Sequence, residues 1–119
     1  MSIKSPETLI NEALKQIKTL DLKEVKQLID EKSCTLIDIR DIRELSKGGA
    51  ITDAFHIPRG MLEFWLNPES PYVQKGQIDL NKKVILFCQT GERSALATKT
   101  LQDMGLTNVA HVKGGYKAM

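Results

Sequence analysis

The chain lacks any run of about 18 apolar residues, the length a membrane-spanning helix requires, and this argues against a bilayer span. Its first twenty residues have no continuous apolar core, because Lys4, Glu7, Glu12, Lys15 and Lys18 interrupt them. A secretory signal is therefore not expected and a cytoplasmic location is. Cysteine is scarce: Cys34 and Cys88 stand far apart and form no Cys-x-x-Cys pair. That spacing suggests neither a disulfide framework nor a zinc site, and both thiols are expected to be free, with no metal or organic cofactor. No block of like charge occurs, since 17 basic and 15 acidic residues interleave for a net charge of +2. Nucleic acid is not implied as a partner, although a few placed arginines can still hold a small anion. Internal repeats are also missing. What is present is 119 residues with 41% hydrophobic composition, enough for one self-sufficient domain.

Apolar spacing organises that domain. Ser5-Pro6 precedes Leu9, Ile10, Ala13, Leu14 and Ile17, a helical pattern with an N-cap and a first-turn proline. Asp21 and Glu24 resemble a capping pair ahead of Leu22, Val25, Leu28 and Ile29, which share one helical face. Cys34 to Ile39 reads as a buried strand, Ala54 to Ile57 as a short one stopped by Pro58, and Met61 to Leu66 as a helical turn. Pro68 and Pro71 make the stretch to about Asn81 a loop. Val84-Ile85-Leu86-Phe87-Cys88 is the strongest strand and shows no alternation, so it belongs inside a sheet covered on both faces. A helix from about Ser94 to Gly105 and a strand Val109–Val112 follow, ahead of Gly114-Gly115. Strands alternating with helices imply an α/β fold with a mainly parallel central sheet, right-handed crossovers and helices on both faces.

In such sheets the functional crevice lies beyond the carboxyl ends of the strands, where Cys88 stands. The segment Cys88-Gln89-Thr90-Gly91-Glu92-Arg93-Ser94 is short enough to turn backbone N–H groups toward the sulfur, and Gly91 can adopt angles other residues resist. The following helix adds the equivalent of about half a positive charge at its start, which favours thiolate over thiol. Cys88 is thus a candidate nucleophile held in an anion cradle.

That segment resembles the Cys-x-x-Gly-x-Arg active loop of the rhodanese family. Leu36-Ile37-Asp38-Ile39-Arg40 with Arg43-Glu44, Gly49-Ala50-Ile51, Ala54-Phe55-His56-Ile57-Pro58-Arg59-Gly60 and Val112-Lys113-Gly114-Gly115-Tyr116 resemble further motifs of the family in order. Four ordered motifs are far more specific than one hexapeptide. The resemblance divides the chain into a helical extension, 1–19, and a rhodanese-like domain, 20–119. It implies a thiosulfate:cyanide type sulfurtransferase in which Cys88 takes sulfur from thiosulfate or a persulfide, becomes a persulfide itself, and yields the sulfur to a thiol, cyanide or partner protein. The loop amides are expected to stabilise the anionic persulfide, Arg93 or Arg59 to hold a donor's oxyanion, and Asp38 and Arg40 to brace the loop. Relatives usually continue past this point with an aromatic residue and another helix, so the closing segment is expected to be short.

Other residues read more plainly. Cys34 is core packing at a strand start, His56 packs before Pro58, and His111 is structural or exposed on the last strand. Trp65, Phe64 and Leu66 form an apolar cluster over the sheet, while Arg43, Glu44 and Lys47 make a solvated turn. The N-terminal helix must bury its apolar face on the domain or on a second copy. Two rival functions stand beside sulfur transfer. A phosphatase or arsenate reductase has a similar cradle but places five residues between Cys and Arg, whereas four separate Cys88 from Arg93. A non-enzymatic binding module of this family commonly lacks the Cys, which is present here, whereas a protein-to-protein sulfur carrier would use the same chemistry at Cys88.

Overall fold

In the computed structural model, which describes residues 2–119, the first helix starts where its cap requires. The Ser5 side chain accepts the Thr8 N–H at 3.1 Å, and Pro6 opens α1 (Pro6–Leu14). Helix α2 (Leu22–Asp30) begins on a full capping box, in which Asp21 accepts the Glu24 N–H at 2.8 Å and Glu24 reaches back to the Asp21 N–H. Five parallel strands form one sheet: β1 (Lys18–Leu20), β2 (Cys34–Asp38), β3 (Phe55–His56), β4 (Lys83–Phe87) and β5 (Val109–Val112), in the order β1-β5-β4-β2-β3.

The apolar run of β4 takes the interior place its composition calls for. Val84, Leu86 and Cys88 point to one face and join Ile37, Ile39, Leu62, Ile78 and the α6 residues Ala97 and Leu101 (α6 is Glu92–Asp103). Ile85 and Phe87 point to the other and meet Val25 of α2, Leu36 and Val112. Burying two such clusters is the main favourable term in the fold. Helix α1 lies against α6, and just past the end of α1 the Gln102 side-chain amide donates to the Gln16 carbonyl at 2.9 Å.

Several local segments differ from the sequence reading. The first helix stops at Leu14 rather than running through Ile17. The residues after it extend as β1, pairing Thr19 with His111 and Leu20 with Val112, so the boundary between residues 19 and 20 falls inside a strand. The charged stretch after Arg40 is helix α3 (Ile42–Gly48), started by an Asp41/Glu44 capping box although it buries no residue. A 3-10 turn (Arg59–Met61) leads into α4 (Leu62–Trp65), and the expected loop contains α5 (Pro71–Gln74), capped by Ser70. Helix α6 begins at Glu92, two residues early, and a last turn, α7 (Gly115–Ala118), follows Gly114. Among the described residues no helix is long and apolar enough to cross a membrane.

Candidate active site

The chain leaves β4 toward β5 on one side and leaves β2 toward β3 on the other, so the carboxyl ends of β4 and β2 mark the switch point at which open α/β sheets carry their functional site. Cys88 stands at the β4 side of it with 1% of its surface exposed. Beyond it the backbone reverses through Gly91, whose φ of +104° lies in the left-handed region that side chains disfavour. The reversal directs the Gly91 N–H at the sulfur from 3.2 Å and the Ser94 N–H from 3.3 Å. The Ser94 Oγ lies 3.5 Å from the same atom. A buried sulfur meeting two amide donors at a helix start is a site built for negative charge.

The loop is held from two sides. Behind it, the Tyr116 and Lys117 N–H groups donate to the Cys88 and Gln89 carbonyls at 2.8 and 3.0 Å. From β2, Arg40 extends a guanidinium with no exposed surface, which donates to Asp38, to the Gly49 carbonyl at 3.0 Å and to Gln89 Oε1 at 3.1 Å. The Tyr116 ring lies over this guanidinium at 4.0 Å. The hydrogen bond to Asp38 is the largest cause holding Arg40 above its ordinary proton affinity.

Arg93 donates two hydrogen bonds to Glu44 of α3, at 2.7 and 2.9 Å. The pair raises the Arg93 pKa and lowers that of Glu44, with Cys88 adding a smaller upward effect on Arg93. Thus α3 clamps the loop, and the Arg93 charge is already partly matched by Glu44. Thr90 donates to Glu92 on the loop's outer side.

Three comparisons bear on this geometry. The family model for the rhodanese-like domain matches residues 21–119. The chain belongs to the rhodanese-like domain family. Its fold is similar to that of RPA3614 from Rhodopseudomonas palustris, a protein of unknown function described as a possible tyrosine phosphatase, with 41% identity, TM-score 0.85 and coverage of 99% and 90% of the two chains. It is also similar to the polysulfide-sulfur transferase homodimer of Wolinella succinogenes, at 32% identity, TM-score 0.70 and coverage of 94% and 79%. The uncharacterized protein YqhL of Bacillus subtilis is 35% identical over 72% of this chain and 60% of its own. The chain spans about half to three-fifths of the length of the first curated relatives it matches.

In this rhodanese-like domain the residues expected to act together are gathered unevenly. Cys88 to Ser94 form the cradle, with Asp38 and Arg40 joined to it through Gln89. Arg59 is placed apart. It donates to Glu63 at 2.8 Å and to Thr100 at 3.5 Å, and among the described residues it makes no hydrogen bond to the loop. His56 Nε2 lies 2.7 Å from the Arg40 carbonyl, a structural contact. Cys34 is half-buried at the amino end of β2, the opposite end of the sheet from Cys88, and burial pushes its thiol pKa up. The sequence suggests only a solvated turn around Glu44 and a closing motif at Gly114-Gly115, yet both segments fix the loop.

Gly115 can be tested directly. Its φ is +64°, and a Cβ there would come within 2.4 Å of the Cys88 carbonyl oxygen and 2.7 Å of Gln89. Gly115→Ala is expected to destabilise the rhodanese-like domain by about 2 kcal/mol or more and to displace the cradle, as read by thermal unfolding and Cys88 alkylation. An unchanged melting temperature and alkylation rate would count against this packing.

His111 is 2% exposed, and burial lowers its pKa to about 4. An unfolded imidazole takes up a proton near pH 6.5, whereas the folded one resists until about pH 4. The unfolded state therefore binds more protons across this window. His111 contributes stability that is fully present above pH 6.5 and lost as the pH falls toward 4, on the order of 3 kcal/mol at most. Urea unfolding of the wild type and His111→Asn at pH 7 and pH 4.5 checks this, the variant being expected to lose less stability on acidification.

Proposed function

We propose that this chain is a thiosulfate sulfurtransferase working through a persulfide on Cys88. The Cys88 thiolate attacks the outer sulfur of thiosulfate, the new S–S bond forms as the bond to the leaving sulfite breaks, and a persulfide remains on the protein. Cyanide, a thiol or a partner protein then attacks the outer sulfur and returns the thiolate, so no external oxidant or reductant enters. The observation that carries this reading is the convergence of the Gly91 and Ser94 N–H groups on one buried sulfur. Such a cradle solvates a single added sulfur atom without water. A polysulfide or another protein's persulfide is an equivalent donor, and the chain then acts as a sulfur carrier. That version draws support from the likeness, 28% identity over 90% of this chain, to a Bacillus subtilis protein named as a putative sulfur carrier, YrkF. Free thiols fit a reducing, cytoplasmic setting.

The phosphatase description of one structural relative fits this site less well. Four residues separate Cys88 from Arg93, and Glu44 already occupies the guanidinium that a phosphoryl group would need. The test is to incubate the protein with thiosulfate or polysulfide, weigh the intact chain for one added sulfur, and measure thiocyanate released by cyanide. Wild type and Cys34→Ser are expected to behave alike. If neither donor adds sulfur to the wild type, the sulfurtransferase reading fails.

A further inference from the structure

The sulfur is linked inward as well as to its loop. Ser94 Oγ lies 3.5 Å from Cys88 Sγ and 2.9 Å from His111 Nδ1, while His111 Nε2 lies 3.0 Å from Thr19 Oγ1. Cys88, Ser94 and His111 are buried, whereas Thr19 is exposed. Thr19 and His111 both border a groove of about 510 Å³, where Asp21, Glu24, Glu92 and Lys113 are the charged neighbours. One continuous file of exchangeable protons therefore joins a buried sulfur to an open groove behind the loop. Its outer hydroxyl comes from β1, before the residues that the family model matches.

We propose that Ser94, His111 and Thr19 form a proton relay that carries the Cys88 proton to the groove and stabilises the anionic sulfur by reversing its hydrogen bonds. In the thiol state S–H donates to Ser94 Oγ, Ser94 O–H to His111 Nδ1, and His111 Nε2–H to Thr19 Oγ1. On ionisation the thiol proton passes to Ser94, the Ser94 proton to Nδ1, the Nε2 proton to Thr19, and the Thr19 proton to water in the groove. Every O–H and N–H broken is matched by one formed, and nothing is oxidised. Afterwards Ser94 O–H donates to the thiolate, Nδ1–H supports Ser94, and Thr19 O–H donates to the bare Nε2. The relay requires an imidazole that stays neutral in both tautomers, and burial keeps His111 neutral above about pH 4. A persulfide anion calls for the same reversed arrangement. The inference deepens the sulfur-transfer reading but stands apart from it, since the sulfur can be ionised by pH alone.

The chain has two histidines, so labelling the imidazoles with nitrogen-15 gives a spectrum simple enough to assign with a His56 variant. The labelled protein is titrated without any sulfur donor while thiolate absorbance is followed. The ring proton of His111 is expected to move from Nε2 to Nδ1 in step with thiolate formation, and not to move in Cys88→Ser over the same range. Thr19→Val, which keeps the shape of an exposed strand residue, is expected to hold the ring in one tautomer. A His111 ring protonated on the same nitrogen on both sides of thiolate formation overturns the relay, as does a ring that still switches in Thr19→Val. A switching ring in a protein that accepts no sulfur would leave the relay standing while removing the sulfurtransferase reading.

Discussion

Cys88→Ser is expected to eliminate persulfide formation and thiocyanate release, lowering turnover by at least about a thousandfold, the scale on which loss of a covalent nucleophile is felt. A hydroxyl is almost never ionised at neutral pH, and oxygen in place of sulfur cannot carry a sulfane sulfur to an acceptor. The fold should persist. Cys88 lies in a buried cluster, but serine is nearly the same size, and its oxygen can accept the Gly91 and Ser94 N–H groups that now meet the sulfur at 3.2 and 3.3 Å. The expected stability change is about 1 kcal/mol, from placing a hydroxyl where a weakly polar thiol packs against Leu86 and Ala97. Intact mass after thiosulfate treatment and a urea melt of the same sample separate the two effects. Retained thiocyanate production in a folded variant would move the chemistry away from this cradle.

The cradle is legible in the sequence because its chemistry is local: a strand-ending Cys, a glycine for the reversal and a helix start occupy seven consecutive residues. The central strand is equally legible, since an unbroken apolar run has only one comfortable place in a parallel sheet. What supports the cradle is harder to see, because it is assembled by topology. Glu44 reaches Arg93 across 49 residues of sequence, and His111 reaches Ser94 across 17. The Asp41/Glu44 spacing carries the same capping signal that marks α2, yet α3 has no buried face and so lacks the apolar periodicity that usually confirms a helix. Lys18-Thr19-Leu20 offers even less: three residues of which only Leu20 is buried, ordered as a strand by pairing with β5. Nothing in the sequence around His111 signals its partners, because only the fold places it under the loop between two hydroxyls.

The largest expected stability effect lies at Asp38 and Arg40, which the fold removes almost wholly from water. Asp38 accepts from the Arg40 guanidinium at 2.8 to 3.2 Å and from the Arg40 backbone N–H at 3.0 Å. Asp38→Asn leaves a buried cation without its counter-charge, and Arg40→Met leaves a buried carboxylate. Each is expected to cost about 3 to 5 kcal/mol. In the double variant neither charge remains, methionine fills much of the guanidinium's space, and the introduced asparagine amide oxygen still accepts the backbone N–H of position 40. Much of the stability should return, with a coupling of about 2 kcal/mol or more between the two sites. Activity should not return with it, because a methionine side chain cannot donate to Gln89, the contact that ties the loop to position 40, or to the Gly49 carbonyl at the end of α3. Urea unfolding and thiocyanate release on all four proteins measure the cycle. Single costs that simply add would mean the pair is not coupled. Full activity in the double variant would show that the amide cradle holds its geometry without the bracing from Arg40.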